Sequence, residues 1–318
     1  MTSSLPQGTL SELPPAAAGD AAFRIFCTPS LSDKRGENYR ELSERARFHL
    51  RHAAWMRIPT VAGDVQAYVF EPDARQSAGT VLVVHGWSGE AAFMSVLAEP
   101  IRRAGFRVVL FDLPAHGLSC GRHTNLIDCA KATLAVAEHV GPVRAVVAHS
   151  FGGMIVALAM EGHPPMPRAL DAGQIVLIAC PNRLSDLTRD FSARWGLSAA
   201  GRRAFERRLV RVGWRSIDHY ATAKLLQSSG CRALVVHDRD DDDVAFVCGE
   251  EIAAGYEGAE LAAFDGFGHR NILFAPPVMR LVARKIAKLN GTDDQGDDLR
   301  GMRHHGERRL GGQHVLRV

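Results

Sequence analysis

The sequence predicts an α/β protein in which helices cover both faces of a mostly parallel β-sheet. Short, continuous runs of apolar and β-branched residues recur along the chain, as expected of strands that are buried on both faces. Segments in which apolar residues have helical spacing alternate with these runs. The chain has 318 residues, of which 46% are hydrophobic and 23% charged, which suits a large globular α/β domain.

The elements are expected to begin with a hairpin and then to alternate. Residues 1–22 are rich in Pro, Ala and Ser and predict a flexible leader. Residues 38–52 have helical character, and the apolar runs 55–61 and 65–70, separated by Ala-Gly-Asp, predict an antiparallel hairpin. The later predicted strands are 80–84, 107–111, 143–148, 174–179, 233–236 and 260–264. The later predicted helices are 91–104, 126–140, 152–160, 247–254 and 278–289.

Residues 181–230 break this alternation and predict a small cap of short helices. Because the insertion lies between two predicted strands, it is expected above the carboxyl ends of the sheet, where ligands bind in open α/β folds. The main domain is then expected over 23–290. Residues 291–318 contain six glycines and no aromatic residue and predict a disordered tail, in which His304 and His305 are interpreted as inert.

The composition argues against several partners. Lys and Arg number 38 and Asp and Glu 35, and the net charge of +3 is too small to predict binding to nucleic acid or to a membrane surface. No run approaches 18 apolar residues, which predicts no membrane span, and residues 1–22 do not resemble a secretory signal. We therefore expect a cytoplasmic protein. The six cysteines include no C-x-x-C pair and are expected to be free thiols.

The strongest chemical motif is A-H-S-F-G-G at 148–153, between a predicted strand and a predicted helix. A sharp turn at this junction exposes a nucleophilic serine, here Ser150. The residues two before and two after the serine must be small to avoid a collision. Ala148, in place of the usual Gly, and Gly152 both meet this need.

A second motif, H-G-W-S-G at 85–89, directly follows the predicted strand 80–84. Acyl transfer needs backbone N–H donors where negative charge develops on the carbonyl oxygen. The N–H groups of Trp87 and Phe151 are the candidate donors, and the Phe151 N–H also lies at the N-terminus of a predicted helix, which favours an anion. His85 is interpreted as a buried structural donor. D-L-P-A-H-G-L-S at 112–119 is interpreted as a structural loop at the rim of the site.

Two weaker motifs supply a base and an acid. The acidic run 237–244 and G-F-G-H at 266–269 each follow a predicted strand. A nucleophilic serine needs an imidazole base near neutral pH, and the imidazole needs a carboxylate to orient it. Ser150, one Asp of 240–243 and His269 all follow strands of one sheet, so the ends of neighbouring parallel strands would bring them together.

With these five motifs in this order, residues 57–289 resemble the α/β-hydrolase superfamily. The resemblance implies an eight-stranded sheet, a Ser nucleophile at 150, a His base at 269, an oxyanion hole formed by Trp87 and Phe151, and a variable cap. Members with dehalogenase or epoxide hydrolase activity use an Asp nucleophile, and Ser150 argues against both.

The expected acid is Asp241, with Asp240 as the alternative. In related hydrolases the acid commonly lies four residues after the histidine at the strand end and three before an apolar residue. His237 and Val244 both select Asp241 by this count. Asp240 is then expected to point elsewhere in a tight turn, and Asp238 to cap that turn.

These observations predict a serine hydrolase that cleaves a small carboxylic ester through an acyl-enzyme on Ser150. Trp195 and Trp214 of the cap are candidate substrate-binding residues. No cofactor and no metal site are expected, and the expected partner is a small-molecule ester. The alternatives are other Ser-based chemistry on the same fold (carbon–carbon bond or thioester hydrolysis, acyl transfer, perhydrolase-like activity) and a non-catalytic ligand-binding protein.

Overall fold

A nine-stranded sheet forms the centre of the protein. The computed structural model describes residues 9–30, 44, 46–73, 77–290 and 315–317. The strands are β1 (Ala54–Ile58), β2 (Val65–Phe70), β3 (Thr80–Val84), β4 (Arg107–Phe111), β5 (Val143–His149), β6 (Gln174–Ile178), β7 (Arg232–Asp238), β8 (Ala259–Phe264) and β9 (Val315–Arg317). Their order in the sheet is β1-β2-β4-β3-β5-β6-β7-β8-β9.

The pairing confirms the α/β class and the mostly parallel sheet built on eight strands. The pairs β1/β2 and β2/β4 are antiparallel, as the opening hairpin predicts, and all other neighbouring strands are parallel. The ninth strand, β9, pairs with β8 and belongs to the stretch 291–318 for which we expected disorder. The rest of that stretch, including His304 and His305, lies outside the described residues.

Helices cover both faces of the sheet. The helices with described ends are α1 (Pro15–Phe26), α2 (Ala91–Met94), α3 (Ala98–Arg103), α4 (Leu126–Val140), α5 (Phe151–Glu161), α6 (Leu184–Arg194), α7 (Ala199–Gly213), α8 (Thr222–Leu225), α9 (Val247–Gly255), α10 (Gly268–Asn271) and α11 (Pro276–Ala287). Residues of α4, α5 and α9 pack in the core of one face, and residues of α2, α3 and α11 in the core of the other. Alternate strand residues enter the two cores, so Leu82 faces one and Val83 the other. No described helix is both long and apolar enough to cross a membrane.

Two predicted helices differ from the observed ones. The expected helix 91–104 is divided into α2, a 3₁₀ turn at Ser95–Leu97, and α3. Pro100 lacks the N–H that would bond to residue 96, so regular helical hydrogen bonding cannot continue through this point. In the expected helical segment 38–52, residues 46–49 are helical and Leu50–His52 form a 3₁₀ turn, while residues 38–43 lie outside the described residues.

The region expected to form a cap, 181–230, contains α6, α7, α8 and two 3₁₀ turns, Ile217–His219 and Leu226–Ser228. It is tied to the end of α5, where Glu161 is buried and accepts hydrogen bonds from Arg215 and His219 over 3.1 and 2.8 Å. This region, which is called the cap below, is therefore anchored to the helix that begins just after Ser150.

The expectation of a flexible leader over 1–22 is wrong for the residues that the structure describes. Thr9–Glu12 form a 3₁₀ turn, and α1 begins at Pro15, a residue well suited to the first turn of a helix because its missing N–H has no partner there. Ala18, Gly19 and Ala22 are buried. The small side chains that suggested a flexible segment thus form a packing face, on which α1 contacts α7 of the cap.

Candidate active site

The carboxyl ends of the central strands lie at one edge of the sheet. Val84 of β3 is aligned with Ala148 of β5, and Ile178 of β6 is aligned with His149 of β5 and with Val236 of β7. The loops that leave these strands, including 85–90 and 239–246, therefore start from the same edge. This alignment brings together motifs that are far apart in sequence.

Ser150 occupies a strained turn between β5 and α5. Its φ of 53° and ψ of −131° belong to a region that residues other than glycine rarely adopt, at a cost of about 1–3 kcal/mol. The Ser150 N–H donates to the Ile178 carbonyl oxygen over 2.8 Å, which holds the turn against β6. A Cβ atom on Gly152 would lie 2.6 Å from the His85 carbonyl oxygen, so only glycine fits there.

The structure brings Ser150, His269 and Asp241 into one hydrogen-bonded line. The Ser150 hydroxyl donates to His269 Nε2 over 3.0 Å, and His269 Nδ1 donates to Asp241 Oδ2 over 2.8 Å. His269 and Asp241 are buried at 9% and 7% exposure. This arrangement fits a nucleophile, a base and a group that orients the base.

The second oxygen of Asp241 fixes the position of its carboxylate. Oδ1 accepts hydrogen bonds from the N–H groups of Asp243 and Val244, over 3.0 and 2.8 Å. Burial raises the pKa of Asp241, but hydrogen bonds from His237, His269 and Val244 lower it more, and the net effect holds this pKa well below its usual range. Asp241 is therefore a carboxylate at neutral pH.

The neighbouring aspartates make other contacts. Asp240 Oδ2 accepts from the Gly266 N–H over 2.9 Å. Asp238 accepts from the N–H groups of Asp240 and Phe267 and so caps the turn. Of the two aspartates considered as the acid, the structure places Asp241 against His269.

Two backbone N–H groups next to Ser150 have no acceptor within the described part of the chain: those of Trp87 and Phe151. Gly86 allows the loop to approach, because a Cβ atom there would lie 2.7 Å from Ser150 Cβ. The rings of Trp87 and Phe151 meet edge to face with centroids 5.7 Å apart. Both groups are available to a ligand atom at Ser150.

Three other histidines near the site are structural. His85 Nδ1 donates to the Gly86 carbonyl oxygen and Nε2 accepts from the Leu113 N–H, as expected of a neutral ring, and burial lowers its pKa to about 4. His116 Nε2 accepts from the Ser88 N–H and holds the loop 85–89. His149 Nε2 donates to the His269 carbonyl oxygen over 2.9 Å, and burial together with the nearby His269 lowers its pKa to about 3. The last contact supports the backbone of His269.

A cavity of about 680 Å³ opens at Ser150 and His269. Trp195 of the cap lines it, and the expectation that this residue binds substrate stays a prediction. The same expectation for Trp214 is wrong, because Trp214 is 70% exposed and does not line the cavity. It takes the left-handed position that ends α7, with a φ of 63°, and there its ring points to solvent.

Sequence reasoning missed the part of the cavity wall that comes from the N-terminal segment. This wall consists of Ile25, Phe26, Cys27, Thr28 and Ser30. The available signal was the helical spacing of Ala18, Ala22 and Ile25, which is weak because alanine gives little amphipathic contrast.

Within the part of the chain that the structure describes, no group of three or more His, Cys, Asp or Glu side chains is placed to hold a metal ion. The six cysteines, all of them described, are free thiols.

Comparisons with known proteins agree on the fold. The sequence model of a family described as the alpha/beta hydrolase family matches residues 81–316. Est1E from Butyrivibrio proteoclasticus, solved with ferulic acid bound, is similar in structure with a TM-score of 0.57 at 17% identity, covering 73% of this chain and 96% of that one.

Two curated proteins are similar over shorter segments. Methylesterase 9 of Arabidopsis thaliana is 38% identical over 88 residues, which cover 26% of this chain and 34% of that protein. A 4-hydroxythreonine-4-phosphate dehydrogenase of Aromatoleum aromaticum is 30% identical over 176 residues, which cover 46% of this chain and 51% of that protein. The chain thus spans between a third and about half of the length of these relatives, whose names describe different reactions.

Proposed function

Because the chain belongs to the alpha/beta hydrolase family and is an enzyme of the hydrolase class, we propose that it cleaves small carboxylic esters through an acyl-enzyme on Ser150. The observation that carries this proposal is the hydrogen-bonded line from Ser150 through His269 to Asp241. These three groups are arranged for acyl transfer, in which a serine attacks a carbonyl carbon and a histidine moves the proton. The proposal is therefore hydrolysis and not the reaction named for the dehydrogenase relative.

In the first step, Ser150 Oγ attacks the carbonyl carbon of the ester while its proton passes to His269 Nε2. The 3.0 Å distance between the two atoms suits this transfer. Asp241 keeps the proton of the neutral imidazole on Nδ1 and stabilises the imidazolium that forms.

The carbonyl oxygen becomes an oxyanion as Ser150 adds to the carbon. The N–H groups of Trp87 and Phe151 would donate hydrogen bonds to it, and the N-terminus of α5 adds a favourable partial charge. Removing one such donor in a related type of site costs about 10²–10³ in kcat.

The bond between the acyl carbon and the alcohol oxygen then breaks, and His269 gives its proton to that oxygen. A water molecule attacks the acyl carbon, His269 takes one of its protons, and the same proton returns to Ser150 Oγ as the acid leaves. The name of the methylesterase relative fits an ester of a small alcohol.

The test is hydrolysis of p-nitrophenyl acetate combined with labelling by a fluorophosphonate probe. We expect Ser150→Ala to lose about 10⁶ in kcat and to lose labelling, because the nucleophile is removed. Ser228→Ala, at an exposed serine that does not line the cavity, is the matched control and should keep both properties.

Two results would contradict the proposal. Turnover of the alanine variant at the wild-type rate would remove Ser150 from the reaction. A wild-type protein that neither labels nor hydrolyses esters or thioesters would instead be a ligand-binding protein on the same fold.

A further inference from the structure

The N-terminal segment contributes to the cavity at Ser150, although it lies far from the cap in sequence. Ile25 and Phe26 at the end of α1, and Cys27, Thr28 and Ser30 after it, line the same cavity as Ser150 and His269. The segment thus meets the site at the side where the cap also contributes its lining residues.

The helix α1 is held tightly against α7 of the cap. A Cβ atom on Gly19 would lie 2.6 Å from Ala204 Cβ and 2.7 Å from the Phe205 backbone nitrogen, so the two helices approach as closely as a glycine allows. Asp20 accepts a hydrogen bond from Arg208 Nε over 2.6 Å beside this contact. The position of α1 relative to the cap is therefore well defined.

The residues after α1 are attached to the loop that carries the candidate oxyanion donor. The Ser30 N–H donates to Ser88 Oγ over 2.9 Å, and Ser88 directly follows Trp87. The segment is therefore connected to the cap at one end and to the oxyanion loop at the other.

Phe26 contacts two aromatic residues of the cap. Its ring meets the rings of Phe191 and Phe205 edge to face, with centroids 5.1 and 5.2 Å apart. Phe26 and Phe191 both line the cavity, and Phe205 is fully buried behind them. The cap contributes four more apolar lining residues and two charged ones, namely Leu184, Leu187, Trp195 and Leu209, and Asp190 and Arg194.

We propose that α1 and residues 27–30 form a wall of the substrate cavity, and that Phe26 limits the size of the apolar group that an ester places there. This inference rests on the proposed ester hydrolysis. The substrates it implies carry an apolar chain or ring on the acyl or the alcohol side, because the wall at Phe26 is aromatic and packs against Phe191 and Phe205.

The experiment measures kcat/KM for two series of esters. In the first, the acyl group of p-nitrophenyl esters is lengthened from acetate to octanoate. In the second, the alcohol of alkyl acetates is lengthened from methyl to hexyl. The variants are Phe26→Ala, which enlarges the cavity, Phe26→Leu, which enlarges it less, and Phe26→Trp, which fills it.

In one of the two series, we expect Phe26→Ala to raise the ratio of long to short substrate at least fivefold and Phe26→Trp to lower it. Burying one more methylene is worth about fourfold in kcat/KM, so room for one or two carbons is enough to see the change. The matched control is Phe23→Ala, since Phe23 lies on the same helix and packs against the core without lining the cavity. Its ratio should stay within about twofold of wild type.

Unchanged ratios of long to short substrate in both series for folded Phe26→Leu and Phe26→Trp would overturn this inference. If the wild-type protein hydrolyses the acetate ester, that result leaves the proposed function intact. An equal shift in Phe23→Ala would also overturn it. By contrast, a wild-type protein without Ser150-dependent hydrolysis of any ester would overturn the proposed function itself.

Discussion

At the scale of single residues, the two carboxylate oxygens of Asp241 accept hydrogen bonds from different groups. Oδ1 is bound by backbone N–H groups of its own turn, and Oδ2 is left to accept from His269 Nδ1. Asp240, its neighbour in sequence, uses its carboxylate to hold the backbone at Gly266. One turn therefore gives two adjacent aspartates different partners.

We expect Asp241→Asn to lower kcat by about 10⁴. The amide NH2 would donate a hydrogen bond to His269 Nδ1. The imidazole would then carry its own proton on Nε2, which is the wrong tautomer for accepting the proton of Ser150. Asp240→Asn is the matched control, because its contact with the Gly266 N–H can be made by an amide oxygen, and it should keep at least about a tenth of the wild-type kcat. The measurement is kcat on p-nitrophenyl acetate. If Asp240→Asn is the crippled variant and Asp241→Asn stays active, Asp240 is the acid.

The spacing that selects Asp241 in the sequence has a physical basis in the turn. Val244, three residues on, donates its N–H to Asp241 Oδ1, and His237, four residues back, lies 3.5 Å from Oδ2.

Trp214 shows where prediction from the sequence fails. A large apolar residue in a cap suggests a cavity wall, but the left-handed end of α7 turns its ring to solvent, and the sequence does not reveal that direction.

At the scale of elements, two helical glycines at the contact between α1 and α7 differ in the room that they leave for a side chain. Gly19 has no room for a methyl group, whereas a Cβ atom on Gly201 of α7 would meet Ser198 Oγ, Ala18 Cβ and Leu197 Cδ2 at 3.4–3.6 Å, which are ordinary contacts. Both glycines face the same helix–helix interface.

We expect Gly19→Ala and Gly201→Ala to change stability in opposite directions. Alanine is favoured over glycine inside a helix by up to about 1 kcal/mol, so Gly201→Ala should raise the free energy of unfolding. Gly19→Ala should lower it by about 1–3 kcal/mol, because the added methyl group forces α1 away from the backbone of α7. Urea unfolding of both variants measures the difference. If Gly19→Ala is as stable as Gly201→Ala, α1 does not pack as described.

The same interface explains why the sequence did not predict α1. The strands and the helices around the sheet have large apolar residues at regular spacing, and this pattern predicts them well. The buried face of α1 is made mainly of Ala18, Gly19 and Ala22, which suit close approach of two helices but resemble a flexible segment in composition. The packing of α1 depends on its contact with α7, which lies nearly 190 residues away in sequence, as the hydrogen bond between Asp20 and Arg208 shows.

At the scale of the whole molecule, two buried histidines tie the stability of the fold to pH. His85 and His149 keep pKa values of about 4 and about 3 in the folded protein, because burial disfavours their charged forms, against 6.5 in an exposed histidine. Between pH 6.5 and 4 the unfolded chain therefore binds more protons than the folded one. Asp241 adds to the loss of stability only below about pH 5, where the aspartate of the unfolded chain begins to bind a proton and the folded one, with its lowered pKa, does not.

We expect the free energy of unfolding to fall as the pH is lowered from 6.5 to 4, by up to about 1.4 kcal/mol per pH unit for each of these histidines. In His85→Gln the slope should be shallower, whatever its stability at pH 7. His139→Gln, at an exposed position of α4, is the control and should keep the wild-type slope. Urea unfolding at four pH values measures the slopes. A wild-type slope in His85→Gln would show that His85 is not held neutral.

The backbone conformation of Ser150 has a consequence for attempts to improve the protein. Glycine adopts this conformation without strain, so a Ser150→Gly variant is expected to fold more readily while lacking the proposed nucleophile. A mutant library sorted only for yield or heat resistance would accordingly become enriched in inactive clones at this codon. Any directed-evolution scheme for this enzyme therefore needs a screen for turnover in every round, since sorting for stability alone does not favour serine at this position.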